Sequence, residues 1–382
     1  MGKVGIDITL AVNQLLNRAF QLRASDIHLK PLDGEAEIWM RIDGRLTLWR
    51  KISVERFKAM LTRLKFIANM DVGESRFPQD GSIELMVKHE KVHVRLATIP
   101  SIYGEKMVIR LFPLHQDDLP LNQLGFTPQQ LKELEHILQL PHGLLLITGP
   151  TGSGKTTTMY KILEELAQDR SKNICSLEDP VELRIPSLTQ IQVNQKAGLT
   201  FASGLRAILR QDPDVIFVGE IRDEETAEIT VRAALTGHLV LSTLHTFDAV
   251  GAIVRLLEMG IKPYYLASAL VGVLSQRLYR LSCPLCQSKG CYACFYTGYR
   301  GRRGVFEILS IRPQLKTAIR ENNSEGQLRQ LVKEMKIPSI GSQLLRYHAI
   351  GLTTAEECIP HLLAEEYFGH PAPESGVPHA HK

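Results

Sequence analysis

Apolar residues recur at helical spacing along Ile8, Val12, Leu15, Leu16 and Ala19, which predicts an opening helix over residues 8–22, with Ser25 and Asp26 following as breakers. The period then changes. Residues 35–42 alternate apolar and polar positions, meet Asp43-Gly44, and resume through Leu46, Leu48 and Trp49, the signature of two strands joined by a two-residue turn. A second hairpin is predicted after Gly81. Its strand at 83–87 leads into a charged turn at 88–91, and Val92, Val94 and Leu96 then point one way while His93 and Arg95 point the other. Strands therefore dominate the first third of the chain.

Residues 113–120 (PLHQDDLP) are polar, hold two prolines and carry no apolar period, which places a linker there. It separates an N-terminal α+β domain over 1–112 from a second domain over 121–368. In that second domain, short apolar runs at 144–148, 215–218 and 239–242 alternate with helix-compatible stretches, the pattern of an α/β domain with helices flanking a sheet. Residues 369–382 are rich in Pro, Gly and His and lack apolar anchors, so they read as a disordered, solvated tail.

A length of 382 residues suits two domains, and 44% hydrophobic with 23% charged residues is ordinary for folded chains. The net charge of +4 comes from 45 basic and 41 acidic residues spread along the chain, so nucleic-acid binding is permitted but not indicated. No stretch reaches the roughly 18 to 20 apolar residues of a membrane span, and Asp7 interrupts any leader-like start. A cytoplasmic location is expected. Four of the six cysteines (Cys283, Cys286, Cys291, Cys294) form two C-x-x-C pairs, which in a reducing compartment read as a metal site before disulfides. Cys175 and Cys358 read as ordinary buried thiols.

The sharpest signal is Gly149-Pro150-Thr151-Gly152-Ser153-Gly154-Lys155-Thr156, which fits G-x-x-x-x-G-K-[ST] at every position, after the run LLLIT and before a helix-compatible stretch, and together with Thr157 it is the candidate nucleotide-binding segment. Its glycines let backbone N–H groups face a phosphate, and the helix N-terminus adds a favourable dipole. Lys155 is expected at the β- and γ-phosphates and the Thr156 hydroxyl on Mg²⁺, with ATP as the nucleotide. Further on, Asp214 opens a buried-strand run that ends at Glu220, where phosphate-loop enzymes keep an acid. The segment SLEDPVE holds Glu178, Asp179 and Glu182, one of which could serve as a general base; alone, such a run reads as a solvated loop. His238 and His245 bracket the strand LVLSTL and by themselves read as structural.

Taken in order and spacing, GPTGSGKT, SLEDPVE, DPDVIFVGEIRD and TGHLVLSTLHT resemble the Walker A, Asp box, Walker B and His box of the ATPases that drive type II secretion, type IV pilus and competence pseudopilus assembly. The first domain is similar to that family's second N-terminal domain through Ala24–His28, Arg41–Gly44, Pro78–Gly81 and Tyr103–Lys106. The resemblance implies a P-loop, RecA-like ATPase core with helices on both faces of the sheet, preceded by a smaller, PAS-like α+β domain and carrying a tetracysteine module. It assigns Glu178 as general base and Glu220 as the Walker B acid, brings His238 and His245 to the site, makes Arg95 and Arg110 candidate arginine fingers, and has Arg206, Arg210, Arg222 and Arg302 line or support the same site. It further implies a homo-hexamer that works on a platform protein at the inner face of the cell membrane, without direct nucleic-acid contact.

Many family members carry a further N-terminal docking domain, whereas this chain begins almost at the second one, a shortened form that resembles the competence-type ATPases. The two C-x-x-C pairs are four residues apart, closer than in ordinary zinc ribbons or in many relatives. Structural Zn²⁺ is the first reading and unmetallated thiols the second. Three alternatives to an assembly motor stand beside it: a pilus retraction ATPase, which usually lacks the cysteine module; a nucleic-acid translocase, for which no basic stripe with interleaved aromatics is present; and a nucleotide switch without turnover.

Overall fold

The structure, a computed structural model, describes residues 2–87, 90–111 and 119–369. The chain forms two compact units, Met1–Asp118 and Leu119–Lys382.

In the first unit, α1 (Gly2–Gln21), β1 (Ala24–Pro31), β2 (Glu35–Ile42), β3 (Arg45–Ser53), α2 (Val54–Ile67), β4 (Gln79–Val87), β5 (Glu90–Ser101) and β6 (Gly104–Leu111) build an antiparallel sheet in the order β3-β2-β1-β6-β5-β4. The helical period seen in the sequence is the buried stripe of α1. Val12, Leu15, Leu16 and Ala19 pack with Phe57, Met60 and Leu64 of α2 over Ile27, Leu29, Met40, Leu96 and Ile109 of the sheet. Asp43 and Gly44 both take positive φ (47° and 84°), as the predicted hairpin turn requires. Ser25 and Asp26 are not breakers. They lie in β1, and the helix is ended earlier, by Arg23 at φ 53°. The expected turn at 88–91 falls partly, and the linker and tail almost wholly, outside the described residues; Gly369 ends the last helix.

The second unit contains a seven-stranded sheet in the order β13-β12-β7-β11-β10-β8-β9. In chain order its elements are α3 (Pro128–Leu138), β7 (Gly143–Thr148), α4 (Lys155–Leu166), β8 (Ile174–Glu178), β9 (Thr189–Gln192), α5 (Phe201–Ile208), β10 (Val215–Val218), α6 (Glu224–Leu235), β11 (Leu239–Leu244), α7 (Ala249–Glu258), α8 (Pro263–Ala269), β12 (Leu270–Ser282), β13 (Tyr299–Ser310), α9 (Pro313–Arg320), α10 (Glu325–Glu334), α11 (Ile340–Ala349) and α12 (Ala355–Gly369). Strands β7 to β12 pair in parallel and β13 is antiparallel to β12.

Helices cover both faces, which is why the central strands read as unbroken apolar runs. Leu144, Leu146, Ile216 and Val240 pack toward α5, α6, α7 and α8, through Leu205, Val231, Ile253 and Leu266. Leu145, Ile147, Phe217 and Leu241 pack toward α3 and α4, through Leu134, Ile137, Met159 and Leu163. Parallel pairing brings the strand ends to one edge: Leu244 lies opposite Thr148, and Val218 opposite both Ser242 and Leu177. Ligands of open α/β sheets bind at such an edge.

Candidate nucleotide site

Between β7 and α4 the chain turns through Gly149, Gly152 and Gly154, all at positive φ. One of them, Gly149, also excludes a side chain on contact grounds, whereas the atom near Gly154 is the end of a side chain that can shift. A Cβ at Gly149 would fall 2.5 Å from the Gln276 carbonyl oxygen, and one at Gly154 would fall 2.8 Å from Gln276 Nε2. The loop therefore lies flat on β12. Lys155 Nζ donates to the carbonyls of Gly149 (2.7 Å) and Pro150 (3.1 Å). Burial, together with the nearby Arg277 guanidinium, pushes the Lys155 ammonium down to about 8, with Glu220 opposing the shift. The Ser153 hydroxyl is buried without a hydrogen-bond partner, while Pro150, Thr151, Gly152 and Thr156 are exposed and Thr157 is half-buried. A cradle of exposed backbone over one lysine, with an orphaned hydroxyl, fits a polyphosphate.

Beside the loop, the end of β10 is fixed by the Gly219 N–H bonding Leu177 O (2.8 Å) and by the Thr243 hydroxyl donating to Gly219 O (2.7 Å). Glu220 follows. One of its oxygens accepts from Arg222, and the other lies 3.7 Å from His245 Nε2. Burial, Lys155 and Arg222 push the His245 imidazole below its usual range, and Glu220 opposes them, so the ring is neutral at pH 7. Thr148 at the end of β7 shares a hydroxyl–hydroxyl bond of 2.5 Å with Thr246 and accepts from the Thr246 N–H (3.1 Å), tying the His box to the phosphate loop.

Glu178, the last residue of β8, is buried and accepts from the Tyr160 hydroxyl at Oε2, and from Ser176 Oγ (2.6 Å) and Gln190 Nε2 (3.2 Å) at Oε1. Tyr160 and Gln190 escaped the sequence reading, since nothing in a linear pattern relates α4 to β8 and β9; Ser176 stood in the SLEDPVE segment but was given no role there. Arg277 escaped it too. This buried guanidinium in β12 donates to the carbonyls of Gln276 and Phe247; the visible trace was a Gln-Arg pair inside an otherwise apolar run.

Other expected residues lie elsewhere. His238 precedes β11 at the opposite end of the sheet from Thr148, where its Nδ1 contacts Ala233 O (3.0 Å), so the fold does not bring it to the phosphate loop of its own unit. Arg206 pairs with Glu225 (2.6 Å), Arg210 donates to Arg206 O (2.8 Å), and Arg302 is exposed on β13 opposite Arg280. In the first unit, Arg95 and Arg110 face each other across β5 and β6, and Arg110 Nε donates to the buried Asp26 (3.1 Å).

The tetracysteine module closes the β12–β13 hairpin. The Sγ atoms of Cys283, Cys286, Cys291 and Cys294 lie within 4.8 Å of one another, with neighbouring pairs at 3.7 to 3.9 Å. Four sulfurs about 2.3 Å from a tetrahedral Zn²⁺ stand about 3.8 Å apart, so the donor set fits zinc despite the short spacing. Gly290 and Gly298, at φ 88° and 81°, make the tight turns that allow it. Burial raises the Cys294 thiol, but hydrogen bonds from the Cys291 and Gly298 backbone bring it down to about 6, while burial and the neighbouring thiols push Cys286 up to about 11.

The family described as Type II/IV secretion system protein matches residues 5–360 of the chain. Type II secretion system protein HxcR of Pseudomonas aeruginosa is 43% identical over 366 residues, 93% of this chain and 77% of that one. The type IV pilus assembly ATPase PilB of Thermus thermophilus is 40% identical over 375 residues, 91% of this chain and 42% of that one. Among solved structures, the pilus retraction motor PilT with bound ADP superposes with a TM-score of 0.64 at 27% identity, covering 94% of this chain and 97% of that one. The Legionella pneumophila ATPase DotB gives 0.72 at 21%, covering 93% and 96%, a likeness of fold. A match along nearly the whole chain, together with a phosphate loop whose glycines and lysine are all in place, makes this protein an ATPase of the type II/IV secretion system family.

Proposed function

We propose that the chain is one subunit of a hexameric motor that spends ATP to assemble a filament of the type II secretion, type IV pilus or competence pseudopilus kind at the cytoplasmic face of the membrane. The observation that supports this most is the gathering of Lys155, Glu220 and His245 at the strand edge where Glu178 also ends. In this reading the loop 149–156 holds the phosphates and Thr156 holds Mg²⁺, which neutralises phosphate charge when bound. Glu178 takes the proton of the attacking water, Glu220 serves the metal side, and Arg222 and His245 keep Glu220 in place. Arg95 and Arg110 meet the nucleotide of a neighbouring subunit, and His238, Arg206, Arg210 and Arg302 act at subunit contacts of the same site. Among the described residues no helix is long and apolar enough to cross a membrane, so membrane association would run through a platform protein.

Retraction is the second reading, favoured by the PilT likeness. The zinc-fitting cysteine module, which retraction motors usually lack, weighs toward assembly. Gene disruption scored for protein secretion, surface pili and DNA uptake separates these: loss of one of them names the filament, hyperpiliation marks retraction, and no change in any of them overturns the motor reading. Sedimentation with ATP should give six subunits; a fully active monomer would refute the hexamer.

A further inference from the structure

The hydrogen bonds around Glu178 leave very little of its carboxylate open. Each carboxylate oxygen offers two acceptor positions. Oε1 uses both, on Ser176 Oγ (2.6 Å) and Gln190 Nε2 (3.2 Å), while Oε2 uses one, on the Tyr160 hydroxyl. One acceptor position remains, and it is on the atom that Tyr160 holds. The phenol is itself fixed. Its oxygen accepts the backbone N–H groups of Glu182 (3.1 Å) and Leu183 (3.2 Å), which leaves its proton a single destination, Glu178.

Tyr160 stands on α4, whose first residue is Lys155. One rigid helix thus carries the phosphate-binding lysine in its first turn and the anchor of the acid in its second. We infer that Tyr160 is the positioning residue that aims Glu178 Oε2 at the attacking water, an inference that rests on the proposed role of Glu178 as base. In the step it serves, the water oxygen bonds the γ-phosphorus as the bond from phosphorus to the β,γ-bridging oxygen breaks. The water proton passes to Oε2, and ADP leaves with the bridging oxygen. Burial and the adjoining carboxylate push the phenol above its usual range, so it stays a donor throughout.

Tyr160→Phe keeps the ring in the core and removes only the hydroxyl. A hydrogen bond donated to an ionised group is worth enough that kcat should fall about 10- to 100-fold. The KM for ATP should stay within about twofold, because Lys155 and the loop are untouched. Removing a donor from the charged form disfavours that form, so the acid limb of the kcat profile should move up by about one pH unit. The double variant Tyr160→Phe, Glu178→Gln should be no slower than Glu178→Gln alone, since Tyr160 acts through Glu178. Wild-type kcat in Tyr160→Phe overturns the inference. So does a kcat loss that leaves the acid limb in place or adds to that of Glu178→Gln, because a merely structural role would behave that way. If Tyr160→Phe does not fold, Ser176→Ala, which opens Oε1 to water and leaves α4 intact, should lower kcat and move the acid limb in the same direction; no effect there overturns the inference. Near-normal turnover in Glu178→Gln instead refutes the base assignment, a result distinguishable from all of these.

Discussion

Nε2 of His245 stands 3.7 Å from Oε2 of Glu220, and the opposite carboxylate oxygen accepts from Arg222. Since burial, Lys155 and Arg222 hold the His245 imidazole below its usual range, the charge on Glu220 is met from the arginine side and the imidazole adds no second cation. With Lys155 proposed to bind and Glu178 and Glu220 proposed to act in hydrolysis, binding and turnover should respond to different substitutions.

Lys155→Ala should abolish measurable ATP binding, because the one buried ammonium over the cradle is lost. Glu178→Gln and Glu220→Gln should keep ATP bound and lower turnover by about 10²–10³-fold. Nucleotide affinity by fluorescence titration and phosphate release measured separately test the division. Near-normal turnover in both glutamine variants would refute the assigned roles.

The Lys155 ammonium at about 8 predicts how affinity responds to pH. A bound phosphate favours the charged lysine, so above pH 8 binding must take up a proton. Affinity for ATP should then drop by up to about tenfold per pH unit. Calorimetry in buffers of different ionisation enthalpy reads the proton uptake. Lys155→Arg, which does not lose its proton, should flatten the profile even if it binds less tightly. A constant dissociation constant between pH 7 and 9.5 in the wild type would contradict the depressed lysine.

The cysteine module should hold close to one Zn²⁺ per chain, since its sulfurs already stand at tetrahedral spacing. Cys283→Ser and Cys291→Ser should each lower the metal content and the melting temperature, because structural zinc binding is folding free energy. Elemental analysis after chelator-free purification decides the matter; metal-free protein with unchanged melting would show that the four thiols stand close for packing alone.

What the sequence disclosed follows the range of the forces involved. The strand, loop and helix around Gly149–Thr156 were legible because a phosphate loop is local chemistry: every residue that shapes it lies within a few positions of its neighbours. The Asp43-Gly44 hairpin and the buried stripe of α1 were legible for the same reason. Ser25 and Asp26 misled because their low strand propensity is overridden in β1, where Asp26 is tied to Arg110 and Arg41 on both neighbouring strands. The Tyr160–Glu178 bond joins residues 18 positions apart through sheet topology, and no period encodes it. His238 looked symmetrical with His245 along the chain, but a strand of six residues sends its two ends to opposite edges.

Glu307 gives a stability test independent of nucleotide. It lines a cavity of about 450 Å³ with Asp248, Arg277, Arg329, His361 and Glu365. Burial, Asp248 and Glu365 push its carboxyl up to about 8, against Arg277 and Arg329. As pH rises from 4.5 toward 8 the unfolded chain releases this proton while the folded chain keeps it, so the group's contribution to stability declines across that window. Glu307→Gln removes the decline. Its melting temperature should exceed that of the wild type by roughly a few degrees at pH 8, with the gap closing near pH 4.5. A gap independent of pH would place the effect elsewhere.

The last prediction concerns the first unit. Arg95 and Arg110 are directly opposed in the β5–β6 ladder, and like charges so placed repel. The buried carboxylate of Asp26 offsets this by holding Arg110 at 3.1 Å, with Arg41 at its other oxygen (3.7 Å). Arg110, held on its strand face by the buried Asp26, is preorganised for an anion, and the charge developing on the γ-phosphate is an anion that needs such a partner. Arg95→Ala and Arg110→Ala should therefore lower turnover by about 10³-fold or more while leaving ATP affinity within a few-fold. Asp26→Asn should show a milder loss, since it loosens Arg110 without removing it. If the arginines act across a subunit boundary, rings assembled from Arg110→Ala and Glu178→Gln chains should regain activity wherever an intact arginine meets an intact acid, although neither parent is active alone. No recovery in rings verified as mixed would count against action in trans. Full turnover in the Arg95→Ala, Arg110→Ala double variant would remove both residues from the mechanism and leave the paired arginines as a surface feature of the β5–β6 ladder.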